Sequence, residues 1–265
     1  MIRKIVLILC LLPSPLLAAF VLFDNFNSYT AGSLNAQGGW NAGTSWAVTT
    51  SPLGGNGNVI SGAATTGNSA AFKPLSLAIN DASTAATLFF RLYRTGGGVN
   101  ISAGLSDETN PALFTGYEAQ LNAQHNTVDT SSFKVRDAGV FDDLGAGSFA
   151  LDSWYNVWMI VNNSANNYEL WIDQGIYGTP GFALTHVLDP NGGAGDFTFD
   201  FRNGAAANPL ITAIFAMGGS TPALTGSLIV DDVYVDTAGQ NLNNPTIPEP
   251  STALLMGSAY AHRKT

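Results

Sequence analysis

Cysteine is nearly absent from this chain of 265 residues, which contains a single one, Cys10. Because Cys10 falls in an N-terminal segment that we interpret as a cleaved leader, the mature protein is expected to contain no cysteine. This excludes disulfide bonds, a cysteine nucleophile and cysteine-ligated metals. A fold of about 220 residues is large enough to form a stable core without such crosslinks.

Charged residues are also scarce, at 11% of the chain, against about a quarter in typical soluble domains. Acidic residues outnumber basic ones by 19 to 10, so the formal net charge is −9 at pH 7. A protein this acidic repels phosphate backbones and anionic lipid surfaces, which excludes nucleic acid as a partner. Calcium and neutral or cationic ligands are compatible with the charge.

The scarcity of charged residues also means few helix-forming residues, since lysine, glutamate and arginine favour helices. The chain instead alternates short apolar segments with turn signals rich in glycine, proline and asparagine. In the segment 196–202, for example, three phenylalanines fall on one face and polar residues on the other. The other predicted strands are 86–94, 98–105, 114–121, 133–137, 154–161, 168–173, 211–217 and 228–235. Regularly spaced short strands predict an all-β sandwich or barrel.

The segments 154–161 and 168–173 predict a hairpin whose centre is apolar on both faces, as in central strands that are covered on both sides. The hairpin is accompanied by the segment Phe-Asp-Asn-Phe-Asn-Ser-Tyr at 23–29 and by a closing strand at 229–236. With these three features the chain resembles the concanavalin A-like lectin/glucanase superfamily, and more narrowly the LamG-like jelly rolls. The resemblance spans roughly residues 20–240. It implies an all-β, two-sheet antiparallel jelly-roll sandwich.

A retaining glycanase of that superfamily carries a Glu-x-Asp-x-Glu strand, whose two glutamates lie about 5 Å apart. The four glutamates of this chain are Glu108, Glu118, Glu169 and Glu249, and no two lie within two residues of each other. The chain also lacks a Gly-x-Ser-x-Gly elbow and any histidine or cysteine set with zinc spacing. These absences predict a non-enzyme, while Glu118 and Glu169 leave open an unfamiliar carboxylate pair.

Three aspartates form a predicted calcium site. The first and last strands of a jelly roll are often neighbours, which would bring Asp24 close to Asp231 or Asp232, and the resemblance implies a structural calcium between those strands. Carboxylate oxygens suit Ca²⁺. Adjacent residues of a regular strand point to opposite faces, so only one of Asp231 and Asp232 is expected to bind. The alternative is a solvated acidic strand end without metal.

A saccharide ligand requires exposed aromatic faces with amide or carboxylate groups nearby. We select Trp40, Tyr117, Trp171 and Tyr177 as candidate ligand-binding residues, and expect Tyr177 to be the most exposed because it lies in a loop rich in glycine and proline. The alternative for each is a position in the core, since burial of large rings dominates the energetics of sandwiches.

The first 19 residues have the features of a secretory signal peptide. Arg3 and Lys4 form its positive start, 5–12 its apolar segment, and Ala18 and Ala19 provide small residues for cleavage after Ala19. The apolar run is too short for a membrane-spanning helix of about 20 residues. We therefore expect export from the cytoplasm.

The C-terminal end carries the motif Pro248, Glu249 and Pro250, then an apolar span and a short basic end. It resembles the PEP-CTERM sorting tail of Gram-negative bacteria, which in that family is recognised by an exosortase and directs proteins to the cell surface or into exopolysaccharide matrix. The apolar span is about half the length that a spanning helix needs, so simple secretion is an alternative. The resulting organisation is a signal peptide at 1–19, a jelly-roll domain at 20–239, a linker at 240–247 and a shortened sorting tail at 248–265.

Together these features predict an exported, non-enzymatic, lectin-like module that binds extracellular polysaccharide. One alternative is a structural matrix protein without a specific ligand, and a second is a secreted enzyme that acts on polysaccharide. An exposed aromatic groove would favour saccharide binding, whereas a smooth polar surface would favour the structural matrix protein. Two carboxylates that converge in a cleft would favour the enzyme.

Overall fold

The computed structural model describes residues 19–52, 57–80, 85–96, 100–125, 131–145, 148–175, 184–204, 208–218 and 226–246. Within these ranges the chain forms β-strands and one short 3-10 helix at Leu113–Thr115. None of the helices in the described part is long and apolar enough to cross a membrane. The predicted leader up to residue 18, Tyr177, and the motif at Pro248, Glu249 and Pro250 lie outside the described residues.

The larger of two sheets contains ten strands. Numbered in chain order, they are β1 (Val21–Asp24), β2 (Gly32–Ser33), β4 (Trp46–Thr50), β5 (Asn58–Ala63), β7 (Ala86–Thr95), β12 (Trp154–Asn162), β13 (Asn167–Gln174), β14 (Thr185–His186), β15 (Phe199–Asp200) and β17 (Ser227–Asp236). Their spatial order is β14-β13-β12-β7-β17-β5-β4-β2, with β1 beside β17 and β15 beside β13. The first and last strands are therefore neighbours, as predicted, with Asp24 opposite Val233.

The smaller sheet contains seven strands. They are β3 (Asn41–Ala42), β6 (Ser69–Ile79), β8 (Ile101–Ser106), β9 (Ala119–His125), β10 (Ser131–Asp137), β11 (Val140–Asp143) and β16 (Leu210–Met217). Their order is β11-β10-β9-β8-β16-β6-β3. Every pairing in both sheets is antiparallel, which confirms the predicted two-sheet antiparallel sandwich.

The core lies between the two sheets and is built by strict alternation along the central strands. Phe90 of β7 and Phe215 of β16 are fully buried, and their ring centroids lie 5.8 Å apart across the interior. Each such ring contributes about 1.5–3 kcal/mol through the apolar surface that it removes from water. The predicted hairpin is confirmed as β12 and β13, which pair from Tyr155 opposite Gln174 to Asn162 opposite Asn167.

The segment 196–202 differs from the prediction of a continuous strand, because only Phe199–Asp200 pairs with β13. The Asp196 carboxylate accepts hydrogen bonds from the backbone N–H and the hydroxyl of Thr198, which form a local turn in place of a ladder. Phe199 and Phe201 are buried in the core, whereas Phe197 stacks on His186. The segment thus crosses the open edge of the sandwich.

The predicted linker at 240–247 also differs from expectation, because its first residues dock onto the larger sheet. Asn241 is buried, and its Nδ2 donates to Asp236 Oδ2 over 2.8 Å. Its backbone N–H donates to Thr87 Oγ1 over 2.9 Å, and Trp158 Nε1 donates to the Asn243 carbonyl over 2.8 Å. These contacts satisfy buried polar groups, so the segment belongs to the folded body at least as far as residue 243.

Candidate functional site

A pocket of about 580 Å³ opens between the two sheets at the edge formed by β11 and β14. Core side chains form its floor, the segment 185–190 forms one wall, and the end of β11 with its following loop forms the other. The lining residues are Phe133, Asp143, Leu144, Ser148, Tyr155, Ile172, Gln174, Thr185, His186, Val187, Leu188 and Pro190. This volume is in the range of small-ligand sites, about 300–1,000 Å³.

Asp143 is the charged side chain on the rim of this pocket. Its Oδ1 accepts from the Gly145 backbone N–H over 2.9 Å, and its Oδ2 lies 3.2 Å from Lys134 Nζ. Burial alone would raise the pKa of Asp143, but these two donors and Ser132 hold it below the ordinary value. Asp143 is therefore ionised at neutral pH, but its carboxylate lies with Lys134 on the face of β11 opposite to Asp142. Gln174 lies opposite the core residue Tyr155, so its amide is on the pocket side of β13.

Three aromatic rings are stacked on the outer face of β13 and β14, next to the pocket. The Trp171 and His186 centroids lie 3.9 Å apart at 9°, and the His186 and Phe197 centroids lie 4.0 Å apart at 11°. His186 Nε2 is 2.8 Å from Glu169 Oε2. Since His186 also lines the pocket, the stack and the pocket share a wall.

An acidic cluster lies beside the pocket and consists of Asp137, Asp142 and Asp189, each of which places a carboxylate oxygen within 4.8 Å of the other two. Asp142 is only 1% exposed and Asp189 6%, while Asp137 is half-buried. Asp142 lies opposite the core residue Val135, so it faces the interior at the edge strand β11. None of the three was selected from sequence.

Asn191 connects the two buried members of this cluster. Its Nδ2 donates to Asp142 Oδ1, and its backbone N–H donates to Asp189 Oδ1 over 2.8 Å. Burial raises the pKa of Asp142; the Asn191 hydrogen bond partly offsets this, and the neighbouring Asp189 raises it further. The backbone N–H of Asp200 donates to Asp137 Oδ1 over 2.7 Å.

The structure places Asp24 in a different role from the predicted calcium ligand. Its Oδ2 lies 2.8 Å from Lys73 Nζ and accepts from Trp40 Nε1 over 2.8 Å and from the Tyr29 hydroxyl. Its Oδ1 accepts from the Phe26 backbone N–H over 2.9 Å. With an ammonium group and three other donors around it, this carboxylate is already neutralised.

Asp231 and Asp232 lie at a bulge in β17 and not in a regular strand, since the pairing with β7 shifts between Asp231 and Tyr234. The Asp231 carboxylate accepts from the Asp232 backbone N–H over 2.8 Å, and Asp232 Oδ2 lies 3.4 Å from Arg91 Nη1. Within the described ranges, these two carboxylates do not gather with Asp24 into a three-carboxylate group. The predicted first-and-last-strand calcium site is therefore corrected: the strands meet, but basic residues face the carboxylates.

The candidate saccharide-binding aromatics are separated by the fold. Trp40 is 2% exposed and Tyr117 is fully buried, so neither presents a ring face to a ligand, and the expectation for these two residues is wrong. The alternative, a core position, applies because the Trp40 ring packs against Phe215 and the Tyr117 hydroxyl donates to the Ser102 carbonyl. Trp171 is half-buried and lies in the stack beside the pocket. Tyr177 lies outside the described residues.

The two glutamates that left an enzymatic alternative open have separate partners. Glu118 precedes β9 of the smaller sheet and accepts from Asn203 Nδ2 over 2.6 Å. Glu169 lies on β13 of the larger sheet beside His186. They contribute to two different local networks.

Comparison with known proteins identifies the fold. No protein-family model matches the chain, and no curated protein matches it in sequence. The structure is similar to the catalytic domain of the glycoside hydrolase family 131 protein from Coprinopsis cinerea, with a TM-score of 0.54 and 12% identity over 88% of this chain and 99% of that one. It is also similar to a GH131 beta-glucanase catalytic domain from Podospora anserina, with a TM-score of 0.55 and 12% identity over 87% of this chain and 100% of that one. The fold is a concanavalin A-like jelly roll.

A likeness to lectin II from Ulex europaeus has a TM-score of 0.47 and 10% identity, over 77% of this chain and 95% of that one. At such identities these likenesses describe the fold alone, since one fold supports many functions. The function has to be argued from the pocket and its surroundings.

Proposed function

We propose that this protein is a non-catalytic carbohydrate-binding module that binds polysaccharide in the pocket between β11 and β14. The observation that carries the proposal is the lining of the pocket, which combines the apolar side chains of Leu144 and the exposed Leu188 with polar groups that include Gln174. A sugar ring has apolar C–H faces and equatorial hydroxyls, so it matches an apolar surface bordered by acceptors and donors. The similar fold of a GH131 beta-glucanase catalytic domain supports the same ligand class.

Each polar group on the rim has a defined part in this proposal. The Gln174 amide, on the pocket side of β13, both donates to and accepts from sugar hydroxyls. Thr185 and Ser148 provide hydroxyls on opposite walls. The adjoining Trp171 offers a ring edge over which the polysaccharide chain continues beyond the pocket.

Three observations support binding without catalysis. The chain lacks the paired-glutamate strand, and Glu118 and Glu169 lie in separate networks. Asp142 and Asp189 do converge, but both are more than nine-tenths buried and neither lines the pocket. A general acid has to lie within hydrogen-bond reach of the substrate, so these buried groups are badly placed for glycoside hydrolysis.

The proposal is tested with the full chain against a panel of neutral and acidic polysaccharides, by measuring binding isotherms and the release of reducing ends in parallel. We expect saturable binding without cleavage. Gln174→Ala should weaken binding about fivefold, which is the effect of one neutral hydrogen-bond partner. Gln37→Ala is the matched control, because Gln37 bonds to the Thr30 and Ser33 carbonyls away from the pocket.

Two results would contradict the proposal. Cleavage that survives purification would indicate the enzymatic alternative. Absence of saturable binding to every polysaccharide would favour the structural matrix protein.

We propose further that the protein acts outside the cytoplasm of a Gram-negative bacterium, at the cell surface or in secreted matrix. The support is the signal-peptide pattern at 1–19 and the PEP-CTERM-like tail at 248–265, which an exosortase would process. Mass spectrometry of the protein recovered from cells and medium tests this proposal. A mature chain that begins at Phe20 is expected, and retention of the first 19 residues would refute export by cleavage.

A further inference from the structure

The acidic cluster has the spacing of a single-ion site. Asp137 ends β10, Asp142 lies on β11, and Asp189 belongs to the segment between β14 and β15, so three separate parts of the chain converge. Their oxygens lie within 4.8 Å of one another. Two ligands of one Ca²⁺ are separated by at most about 4.6–5.2 Å, which is twice the Ca–O distance. One ion can therefore contact all three carboxylates.

Among the described residues, no basic side chain is paired with the cluster: no lysine, arginine or histidine forms an ion pair with any of the three. The buried Asp24, by contrast, lies against Lys73. Two buried like charges in contact are strongly unfavourable unless a proton or a cation lies between them.

A second observation points to a bound cation rather than to a solvated acidic patch. Asp142 is 1% exposed, and its Oδ2 is buried without a hydrogen-bond donor. The other oxygen of this carboxylate accepts from Asn191, which orients the side chain toward Asp189. Buried carboxylate oxygens are normally paired, because leaving one without a partner carries the full desolvation penalty. The oxygen without a donor belongs to a buried carboxylate that lies in the cluster.

We infer that Asp137, Asp142 and Asp189 form a binding site for a divalent cation of the calcium type. All available ligands are hard oxygens, which suit Ca²⁺ and not the nitrogen- and sulfur-preferring metals. The ion would connect the β10–β11 hairpin to the segment that follows β14. Asp143 and Leu188, which line the pocket, are the immediate neighbours of Asp142 and Asp189. An effect of the ion on saccharide affinity rests on the proposed function, whereas cation binding does not.

The test is isothermal titration of the chelator-treated full chain with CaCl₂, together with thermal unfolding in Ca²⁺, in Mg²⁺ and in chelator. We expect one Ca²⁺ per chain, and a rise in melting temperature of about 5–10 °C at a Ca²⁺ concentration 100 times the Kd. Asp142→Asn is expected to weaken Ca²⁺ binding at least about tenfold. Mg²⁺ should bind more weakly, because it dehydrates reluctantly and demands octahedral geometry.

Two comparisons make the result specific. In chelator, Asp142→Asn should melt at or above the wild-type temperature, because the substitution removes a buried like charge, and this separates lost binding from lost folding. Asp107→Asn is the matched control: it makes the same change at a carboxylate that pairs with Asn208 away from the cluster, and should leave the Kd for Ca²⁺ within about twofold.

Absence of any heat of binding or thermal shift with Ca²⁺ would overturn the inference and leave a proton shared by Asp142 and Asp189. An unchanged Ca²⁺ affinity in Asp142→Asn would overturn it as well. Ca²⁺ binding without saccharide binding would leave the cation site in place and refute the proposed function. Saccharide binding to a chain that binds no Ca²⁺ would support the proposed function and refute the cation site.

Discussion

Replacement of Asp24 by alanine should destabilise the protein strongly and independently of calcium. In the structure this carboxylate accepts hydrogen bonds from the Phe26 backbone N–H, Trp40 Nε1 and the Tyr29 hydroxyl, and forms an ion pair with Lys73. All four donors lose their acceptor in Asp24→Ala. Trp40 is buried, so its N–H cannot turn to water.

The magnitude follows from burial. Removing one partner of a buried ion pair costs about 3–5 kcal/mol, and the lower half of that range applies because the Lys73 side chain is 18% exposed and can be partly hydrated. We expect a loss of about 3–4 kcal/mol in the free energy of unfolding. For a domain of this size that corresponds to a fall in melting temperature of roughly 6–16 °C. Asp24→Asn retains acceptor capacity at one oxygen and should cost about half as much.

Urea unfolding followed by tryptophan fluorescence measures these losses, once in Ca²⁺ and once in chelator. If Asp24 binds Lys73 and not an ion, both variants lose the same stability in the two buffers. A destabilisation that occurs only in Ca²⁺ would restore the first-and-last-strand calcium site. A loss below about 1 kcal/mol in Asp24→Ala would refute the reasoning from burial.

Three further predictions concern the body of the sandwich. A Cβ at Gly104 would lie 1.9 Å from the Ala119 carbonyl oxygen on β9. Gly104→Ala should therefore lower the free energy of unfolding, measured with urea, by about 3 kcal/mol. A loss below about 1 kcal/mol would contradict this close approach. Burial lowers the pKa of Arg94 to about 10, and its Nε and one Nη lack acceptors. Arg94→Met should therefore be neutral or stabilising by about 1 kcal/mol in the same assay, and a loss above 2 kcal/mol would show that the bond to the Ala123 carbonyl dominates. Burial, opposed by Asn203 and reinforced by Asp107 and Glu108, raises the pKa of Glu118 above its unfolded value. Its contribution to stability is thus greatest at low pH and declines as the pH rises through the folded pKa. Glu118→Gln should remove this decline, which lies above the ordinary pKa of glutamate, and superimposable pH profiles of the two proteins would refute the prediction.

Sequence reasoning found the strands rich in large apolar residues and missed the longest strand of the smaller sheet, which has few of them. The β12–β13 hairpin was predictable because large apolar residues fill both of its faces. The eleven-residue strand β6 was not predicted, since Pro74 and several serines and alanines interrupt its pattern. The structure accommodates Pro74 because β3 pairs with β6 only at Ala71 and Phe72, so the strand has a free edge at the proline.

The candidate site was harder to predict than the fold, for a reason of geometry. Asp142 and Asp189 are 47 positions apart, and only the closure of the sandwich edge by the segment 185–201 brings them together. Neither lies in a recognisable metal-binding loop. The one local signal was the Asp-Pro-Asn-Gly turn at 189–192, which contributes Asp189 and Asn191. Composition also could not tell a buried tryptophan such as Trp40 from a half-buried one such as Trp171.

The scarcity of basic residues links the composition to the cluster. The chain has 10 lysines and arginines for 19 aspartates and glutamates, so a buried carboxylate cannot always have a basic partner. Asp24 lies against Lys73 and Asp232 against Arg91. Asp142 is more deeply buried than either and faces two further carboxylates. Since no basic residue in the described part of the chain pairs with these carboxylates, a proton or the proposed divalent cation is the charge that would stabilise this edge of the sandwich.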